Sequence, residues 1–340
     1  MNKEKTYLGH LLLILAACTL SLLSCAQNTT EEFPTEKPIP VESLYGQLSV
    51  DGHQLVNEKG KPVVLRGVSF GWHMWWSRFW NKSTVSHLVD DWKCNVVRAA
   101  MGVSLSYNNS YLQNPNFGID CVTKVVDAAI EKGIYVIVDF HTHDICLDEA
   151  TIFFTQIATK YKDYPNVIYE IFNEPLDTHT WKEVKEYSET IINVIRKIDP
   201  DNLILVGSPY WDQALHLVAN DPIQNQSNIM YTMHFYAASH KKSLRDRCDA
   251  AIAKGIPIFV SECAGMEATG DGTIDYEEWN NWKNWMEAAN ISWLAWSIAD
   301  KNETCSMIKD TTSPITAWGE KDLKEWGREV RKTLREKNTH

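Results

Sequence analysis

Two glutamates, Glu174 and Glu262, stand where short apolar runs end, and a pair of carboxylates is what acid-assisted cleavage of a bond requires. The run 167–172 is rich in Val, Ile, Tyr and Phe and leads into Phe172-Asn173-Glu174-Pro175; the run 257–261 leads into Glu262. Bounded apolar runs of this kind read as strands covered on both faces. Pro175 has no N–H and pushes its predecessor towards extended geometry, so the strand stops there and the Glu174 carboxylate lies at its mouth.

The elements that would hold these residues repeat along the chain. Residues 47–50, a turn at Asp51-Gly52 and residues 53–56 predict a small hairpin, a plug or lid on the larger fold. Strand candidates then occupy 63–69, 95–101, 135–140, 167–172, 203–207, 230–236, 257–261 and 293–297. Amphipathic stretches alternate with them at 84–92, 121–132, 150–161, 181–198, 213–219, 244–254, 276–289 and 322–335, with Gly133, Gly255 and Asp199-Pro200 as stop signals. Eight such rounds in one parallel sheet close most simply as an α/β fold of the (β/α)₈ TIM-barrel type with a short N-terminal β-hairpin. A doubly wound open sheet competes, but no Gly-rich phosphate loop comes after any strand.

In such a barrel the C-terminal strand ends converge, and here they are polar: Arg98, His141 with His143, Asn173 with Glu174, His234 with Tyr236, Glu262, and Trp296 followed by Asp300 and Lys301. Each alone has a structural reading, a paired arginine, a satisfied core imidazole or a packed indole. Six strands delivering such residues to one end is hard to obtain from packing. Two carboxylates with an arginine, histidines and aromatics suit glycosidic hydrolysis, in which one acid protonates the leaving oxygen and a second carboxylate works on the far side of the sugar. Carboxyl groups about 5 Å apart give direct attack and retention; about 6.5 Å or more admits water and gives inversion. His141-Thr142-His143 is the one spacing that suggests a metal, and it lacks the further strand-end ligands of a barrel amidohydrolase, so no metal and no cofactor is expected.

The composition, 44% hydrophobic and 23% charged, is that of a globular protein. A net charge of -11 argues against nucleic acid or an anionic membrane surface as partner. The 14 tryptophans exceed what a core needs and suit stacking on sugar rings. Lys3 and Lys5 precede an apolar stretch, 11–23, too short to span a bilayer comfortably, which reads as an export signal. Leu22-Leu23-Ser24-Cys25 resembles a bacterial lipoprotein box, with Cys18 as the alternative lipidated residue. The expected organisation is a leader at 1–25, a flexible tether at 26–43 and the barrel at 44–340, exported and held to a bacterial membrane only through its lipid. Cys94, Cys121, Cys146, Cys248, Cys263 and Cys305 show no zinc-knuckle spacing, and both a disulfide and free buried thiols stay open.

With these residues assembled, the chain resembles a family 5 glycoside hydrolase, specifically its bacterial endo-β-1,4-glucanases (cellulases), over nearly the whole barrel. The resemblance runs through Gly46-Gln47-Leu48-Ser49, Asn57-Glu58-Lys59-Gly60-Lys61-Pro62-Val63, Leu65-Arg66-Gly67-Val68-Ser69, Asn95-Val96-Val97-Arg98, Asp139-Phe140-His141, Phe172-Asn173-Glu174-Pro175, His234-Phe235-Tyr236, Val260-Ser261-Glu262 and Trp296-Ser297-Ile298-Ala299-Asp300-Lys301. It implies a (β/α)₈ barrel that hydrolyses internal β-1,4 bonds of a β-glucan polysaccharide or oligosaccharide with retention, as a monomer. It implies Glu174 as general acid/base, its pKa raised by burial and by Glu262, and Glu262 as nucleophile, kept ionised by Arg98 and oriented by Tyr236. It further implies Asn173 on the sugar 2-hydroxyl, His234 on the acid/base, and His141 and Tyr111 lining the cleavage subsite. Trp296 would sit under the sugar, Lys301 and Glu303 on the next sugar, and Trp211 would be the platform on the leaving side. His73, in Gly71-Trp72-His73-Met74-Trp75-Trp76, would touch sugar, although this segment departs from the commoner family pattern and its tryptophans could form a floor or a lid; Phe140 stands where relatives usually carry Trp. Mannan, xyloglucan and mixed-linkage glucan are the alternative substrates, and a non-catalytic surface glycan-binding protein is the alternative of a different class.

Overall fold

The computed structural model describes residues 38, 41–310 and 315–338. The leader, Cys18, Cys25 and nearly all of the tether lie outside the described residues. A hairpin comes first, β1 (Ser49–Asp51) paired antiparallel with β2 (Gln54–Val56) around Gly52, whose φ of 61° is the left-handed value that such a tight turn demands. The eight expected strands come next as β3 (Arg66–Phe70), β4 (Val96–Gly102), β5 (Tyr135–His141), β6 (Val167–Glu170), β7 (Ile204–Val206), β8 (Ile229–Tyr236), β9 (Ile258–Ala264) and β10 (Trp293–Ile298). All neighbours are parallel, and β10 pairs back onto β3 to close the barrel. Nearly every strand residue is buried, because helices cover the outside and side chains fill the inside.

Each expected amphipathic stretch holds a helix, among them Lys82–Asp90, Trp181–Arg196 and Tyr276–Ala288. The Trp181–Arg196 helix starts with a capping box in which Thr180 and Glu183 satisfy each other's backbone N–H groups. Two short turns, His73–Trp76 and Pro209–Asp212, were not expected, since four residues carry no readable period.

The hairpin acts as a plug. Leu48 and Leu55 join Leu65, Ile137, Ile168, Leu205, Phe259 and Leu294 in one buried cluster at the start of the barrel strands. Gln47 donates to Asn202 Oδ1 (3.1 Å) and Val50 N–H to Asn228 Oδ1 (3.1 Å), so the plug is fastened to the loops that enter β7 and β8. Closing that end leaves the C-terminal mouth as the place for a cleft. Between β3 and β4 the approach is tight enough that a Cβ on Gly67 would lie 1.7 Å from the Val96 carbonyl oxygen, so only glycine fits there.

Candidate active site

Strand register sets the site. On adjacent strands β8 and β9, His234 lies opposite Glu262 and Tyr236 opposite Ala264. β9 therefore runs past Glu262, which is held inside a strand and not on a loop. Conversely β6 ends at Glu170, paired with Leu205 of β7, and Asn173 and Glu174 lie on the exit loop.

Arg98, on β4 and fully buried, is the hub. Its Nε donates to Glu170 Oε2 (2.7 Å), Nη1 to Glu262 Oε2 (2.9 Å), and Nη2 to Asn173 Oδ1 (2.6 Å) while lying 2.9 Å from Asp139 Oδ2. Burial works against the Arg98 charge, but Asp139, Glu170 and Glu262 outweigh it and raise its pKa. Burial likewise opposes the Glu170 charge, yet Arg98 and His234 hold that carboxyl at about 2. Asp139 differs: burial raises it well above the carboxylate range in spite of Arg98. Its Oδ2 lies 2.6 Å from His141 Nδ1, in hydrogen-bond contact, and burial with the Arg98 charge holds that imidazole well below its usual pKa.

Glu262 is gripped at both oxygens, by Arg98 and by the Tyr236 hydroxyl, which donates to Oε1 (2.8 Å). Burial and the Glu262 charge push Tyr236 well above its ordinary pKa, so it remains a donor. Glu174 Oε1 lies 2.9 Å from His234 Nδ1. One oxygen of Glu174, one of Glu262 and a ring nitrogen of His234 all fall within 4.8 Å of one another. The raised pKa expected of Glu174 is not what the surroundings produce. Burial does push it up, but the hydrogen bond and charge of His234 outweigh burial and hold it below the usual value. His234 is in turn held well above its usual value, its burial outweighed by Asp212, Glu170 and Glu174. The two shifts run in the same sense, each group favouring the charged form of the other across one hydrogen bond.

Asn173 spends its carbonyl on Arg98, and its buried Nδ2 has no protein partner. Trp296 stacks on His141 with centroids 5.4 Å apart and planes 6° from parallel. Trp72 meets the His141 edge at 4.4 Å and stacks on Trp75, which is 41% exposed, so this segment extends the aromatic surface beside His141 outward. Lys301 and Glu303 form an ion pair on the loop after β10. Trp211 and Tyr210, both well exposed, line a cleft of about 630 Å³ with His143, Glu174, His234, Tyr236 and Glu262.

Two expected sugar contacts are displaced. His73 is fully buried, accepting from Gly102 N–H at Nδ1 (3.1 Å) with Nε2 on the Asn109 carbonyl (2.8 Å), so no edge remains for a sugar. Tyr111 is 4% exposed and packs edge-on against Phe140 and Phe153, backing the strand that carries His141 and not lining the cleft. The sequence reading missed Glu170 and Asp139, carboxylates inside apolar strands whose burial alone signals a cationic partner. It also missed Ser261, Asp212 and the closeness of His143 to Glu174, whose backbone carbonyl lies 3.1 Å from His143 Nδ1.

Among the described residues His141 and His143 belong to no group of three metal-type ligands. The His234 groups are committed within the protein: both its nitrogens are hydrogen-bonded, to Glu174 and to Ser261 (2.9 Å). Cys94, Cys121, Cys146, Cys248, Cys263 and Cys305 are free thiols.

Residues 56–302 match the family model described as cellulase, glycosyl hydrolase family 5. The chain is 39% identical to an endoglucanase of Clostridium saccharobutylicum over 87% of its own length and 67% of that protein. It is 41% identical to endoglucanase Z of Dickeya dadantii over 81% of its length and 65% of that protein. The chain thus spans about two thirds of these relatives. Among solved structures it resembles one from Cytophaga hutchinsonii (44% identity, TM-score 0.84, 86% of this chain and 96% of that one). It also resembles the catalytic domain of Thermobifida fusca endoglucanase Cel5A (34% identity, TM-score 0.80, 86% and 98%), a glutamate-to-glutamine form of which was solved in complex with cellotetraose.

Proposed function

The chain belongs to the cellulase family, glycosyl hydrolase family 5, and on that premise we propose that it is a retaining endo-β-1,4-glucanase that cuts internal bonds of a β-glucan. The observation that carries this reading is the spacing of the two glutamates. With one oxygen of each carboxylate within 4.8 Å of the other, the pair is closer than the roughly 6.5 Å or more of an inverting arrangement and suits direct attack by one carboxylate.

Glu262 attacks the anomeric carbon as the glycosidic C–O bond breaks, and Glu174 passes a proton to the departing oxygen. Arg98 and Tyr236 orient the nucleophile and offset its buried charge until it is spent on the sugar. The glycosyl-enzyme is then hydrolysed by a water whose proton returns to Glu174 and its partner His234. Asn173 Nδ2 faces the 2-hydroxyl, a contact that strengthens as the ring flattens. Trp296 carries the sugar undergoing attack, Lys301 with Glu303 the next one, and Trp211 the leaving side.

One barrel supplies every one of these groups, which favours a working monomer. Lys3, Lys5, the apolar stretch 11–23 and Leu22-Leu23-Ser24-Cys25 favour export and a lipid anchor at Cys25. A Cys25→Ala protein that still partitions into membranes would move the anchor to Cys18.

Reducing-sugar release from carboxymethylcellulose, lichenan, mannan and xyloglucan tests the substrate; activity confined to mannan would overturn the glucan assignment. Glu174→Gln and Glu262→Gln should each lower turnover of a cello-oligosaccharide by roughly a thousandfold or more while the fold persists. Undiminished hydrolysis in either would sink the mechanism, and binding without any turnover in the parent chain would support a glycan-binding protein instead.

A further inference from the structure

Asp212 is a fully buried carboxylate with no role so far, at the end of the turn that presents Tyr210 and Trp211 to the cleft. That turn is costly. Tyr210, Trp211 and Asp212 have φ of 60°, 52° and 63°, three consecutive non-glycine residues in the left-handed region. Asp212 holds it shut: its N–H donates to the Ser208 carbonyl (3.0 Å) and its Oδ1 accepts from Ser208 N–H (2.7 Å). The Trp211 N–H donates to the Pro175 carbonyl (3.0 Å), tying the same turn to the segment that carries Glu174.

The second oxygen, Oδ2, has no hydrogen-bond partner and lies 3.4 Å from His234 Nε2. The proton on that nitrogen can be placed. Ser261 Oγ donates its single hydrogen to Glu170 Oε1 (2.6 Å), so towards His234 it can only accept, and Nε2 carries an N–H. The remaining proton lies between Nδ1 and Glu174 Oε1. Whether it rests on the imidazole depends on the charge facing Nε2.

We propose that Asp212 is a positioning residue: one oxygen pins the turn that carries the leaving-side platform, and the other holds His234 as an imidazolium that keeps Glu174 supplied with the proton it delivers. The inference rests on Glu174 being the proton donor. Burial opposes the Asp212 charge and raises its pKa, with His234 the largest influence against that rise; the geometry favours the carboxylate, because a proton on Oδ2 would face the Nε2–H and find no acceptor. The other charged or titratable groups facing His234 are Glu170, Glu174 and Glu262, with Arg98 neutralising Glu170 and Glu262, Asp139 beyond Arg98, and His141 and His143 facing Glu174. Asp212 and Asp139 each keep an oxygen without a hydrogen-bond partner, and of the two it is Asp212 whose free oxygen lies against the imidazole of His234.

Asp212→Asn keeps an acceptor for Ser208 N–H and removes the charge. On cellotetraose, whose leaving sugar needs a proton, kcat/KM should fall at least about tenfold more than on dinitrophenyl β-cellobioside, whose leaving group needs none. The alkaline limb of the cellotetraose kcat/KM profile should move down by about one pH unit or more. Equal losses on both substrates with an unmoved limb would overturn the proposal and leave Asp212 a structural pin. Nitrogen-15 NMR of His234 in the unsubstituted chain is independent of how the variant folds: both ring nitrogens should be protonated near neutral pH, and a bare Nδ1 would overturn it. If Glu174→Gln retains cellotetraose hydrolysis, the donor assignment itself has failed and this inference falls with it; if Glu174→Gln is inactive and Asp212→Asn is unchanged, only this inference falls.

Discussion

Replacing Arg98 by Met removes a guanidinium and leaves an apolar chain of similar length facing Asp139, Glu170 and Glu262. Removing one member of a buried charge network costs about 3–5 kcal/mol, because the partners stay buried without compensation. The Glu170 carboxyl gives an independent figure. It is held at about 2 against an ordinary 4.5, and at 1.36 kcal/mol per unit this is about 3 kcal/mol of stabilisation, largely from Arg98. The same shift sets the sign of the pH dependence. A depressed carboxylate stabilises the parent chain above 4.5 and loses that contribution as pH falls towards about 2. Without Arg98, burial dominates and raises the carboxyls, so protonating them relieves the variant. Urea unfolding near neutral pH should show Arg98→Met less stable by about 3–5 kcal/mol, with part of the loss recovered on acidification to roughly pH 5. A loss below about 1 kcal/mol, or one that grows on acidification, would mean that Arg98 does not hold these charges in place. Activity should vanish, since Glu262 and Asn173 both lose the group that aims them.

Tyr236→Phe removes only the hydroxyl on Glu262 Oε1, and loss of one hydrogen bond to a charged group, about 1.5–3 kcal/mol, should lower kcat/KM roughly 10- to 150-fold. An unchanged rate constant in stopped-flow glycosylation would show that Arg98 alone orients the nucleophile. His73 adds an acid-labile element: burial lowers it to about 4 from 6.5, so the unfolded chain binds its proton first, and stability should fall by up to about 3 kcal/mol as pH drops through that window. His73→Phe, whatever its own cost, should flatten that slope; an unaltered slope in equilibrium unfolding would contradict the assignment.

The barrel was legible because doubly covered parallel strands read as unbroken apolar runs, and eight of them leave few closed topologies. Strand ends were less so: Glu262 sits within β9 and Glu174 beyond β6, since where pairing stops depends on the neighbouring strands and not on the run of apolar residues alone. Glu174, Glu262, Arg98, Asn173, His234 and Tyr236 do converge as their places at strand ends suggested. Glu170 and Asp139 were hidden by the strands around them, although a charge in an apolar strand demands a partner, and Arg98 was the available cation. The direction of the Glu174 shift was not readable. Burial can be guessed from neighbours in sequence, but the imidazole that reverses its effect arrives from a strand 60 residues away.

The mechanism turns on Glu262 forming a covalent bond to the sugar while Glu174 handles the proton. An activated 2-fluoro cellobioside slows release of the glycosyl-enzyme, so incubation with it and mass spectrometry of the digested protein would locate that bond. The label should be found on the peptide containing Glu262 and map to that side chain. A label on Glu174, or a first-formed product of α configuration with no label anywhere, would contradict it.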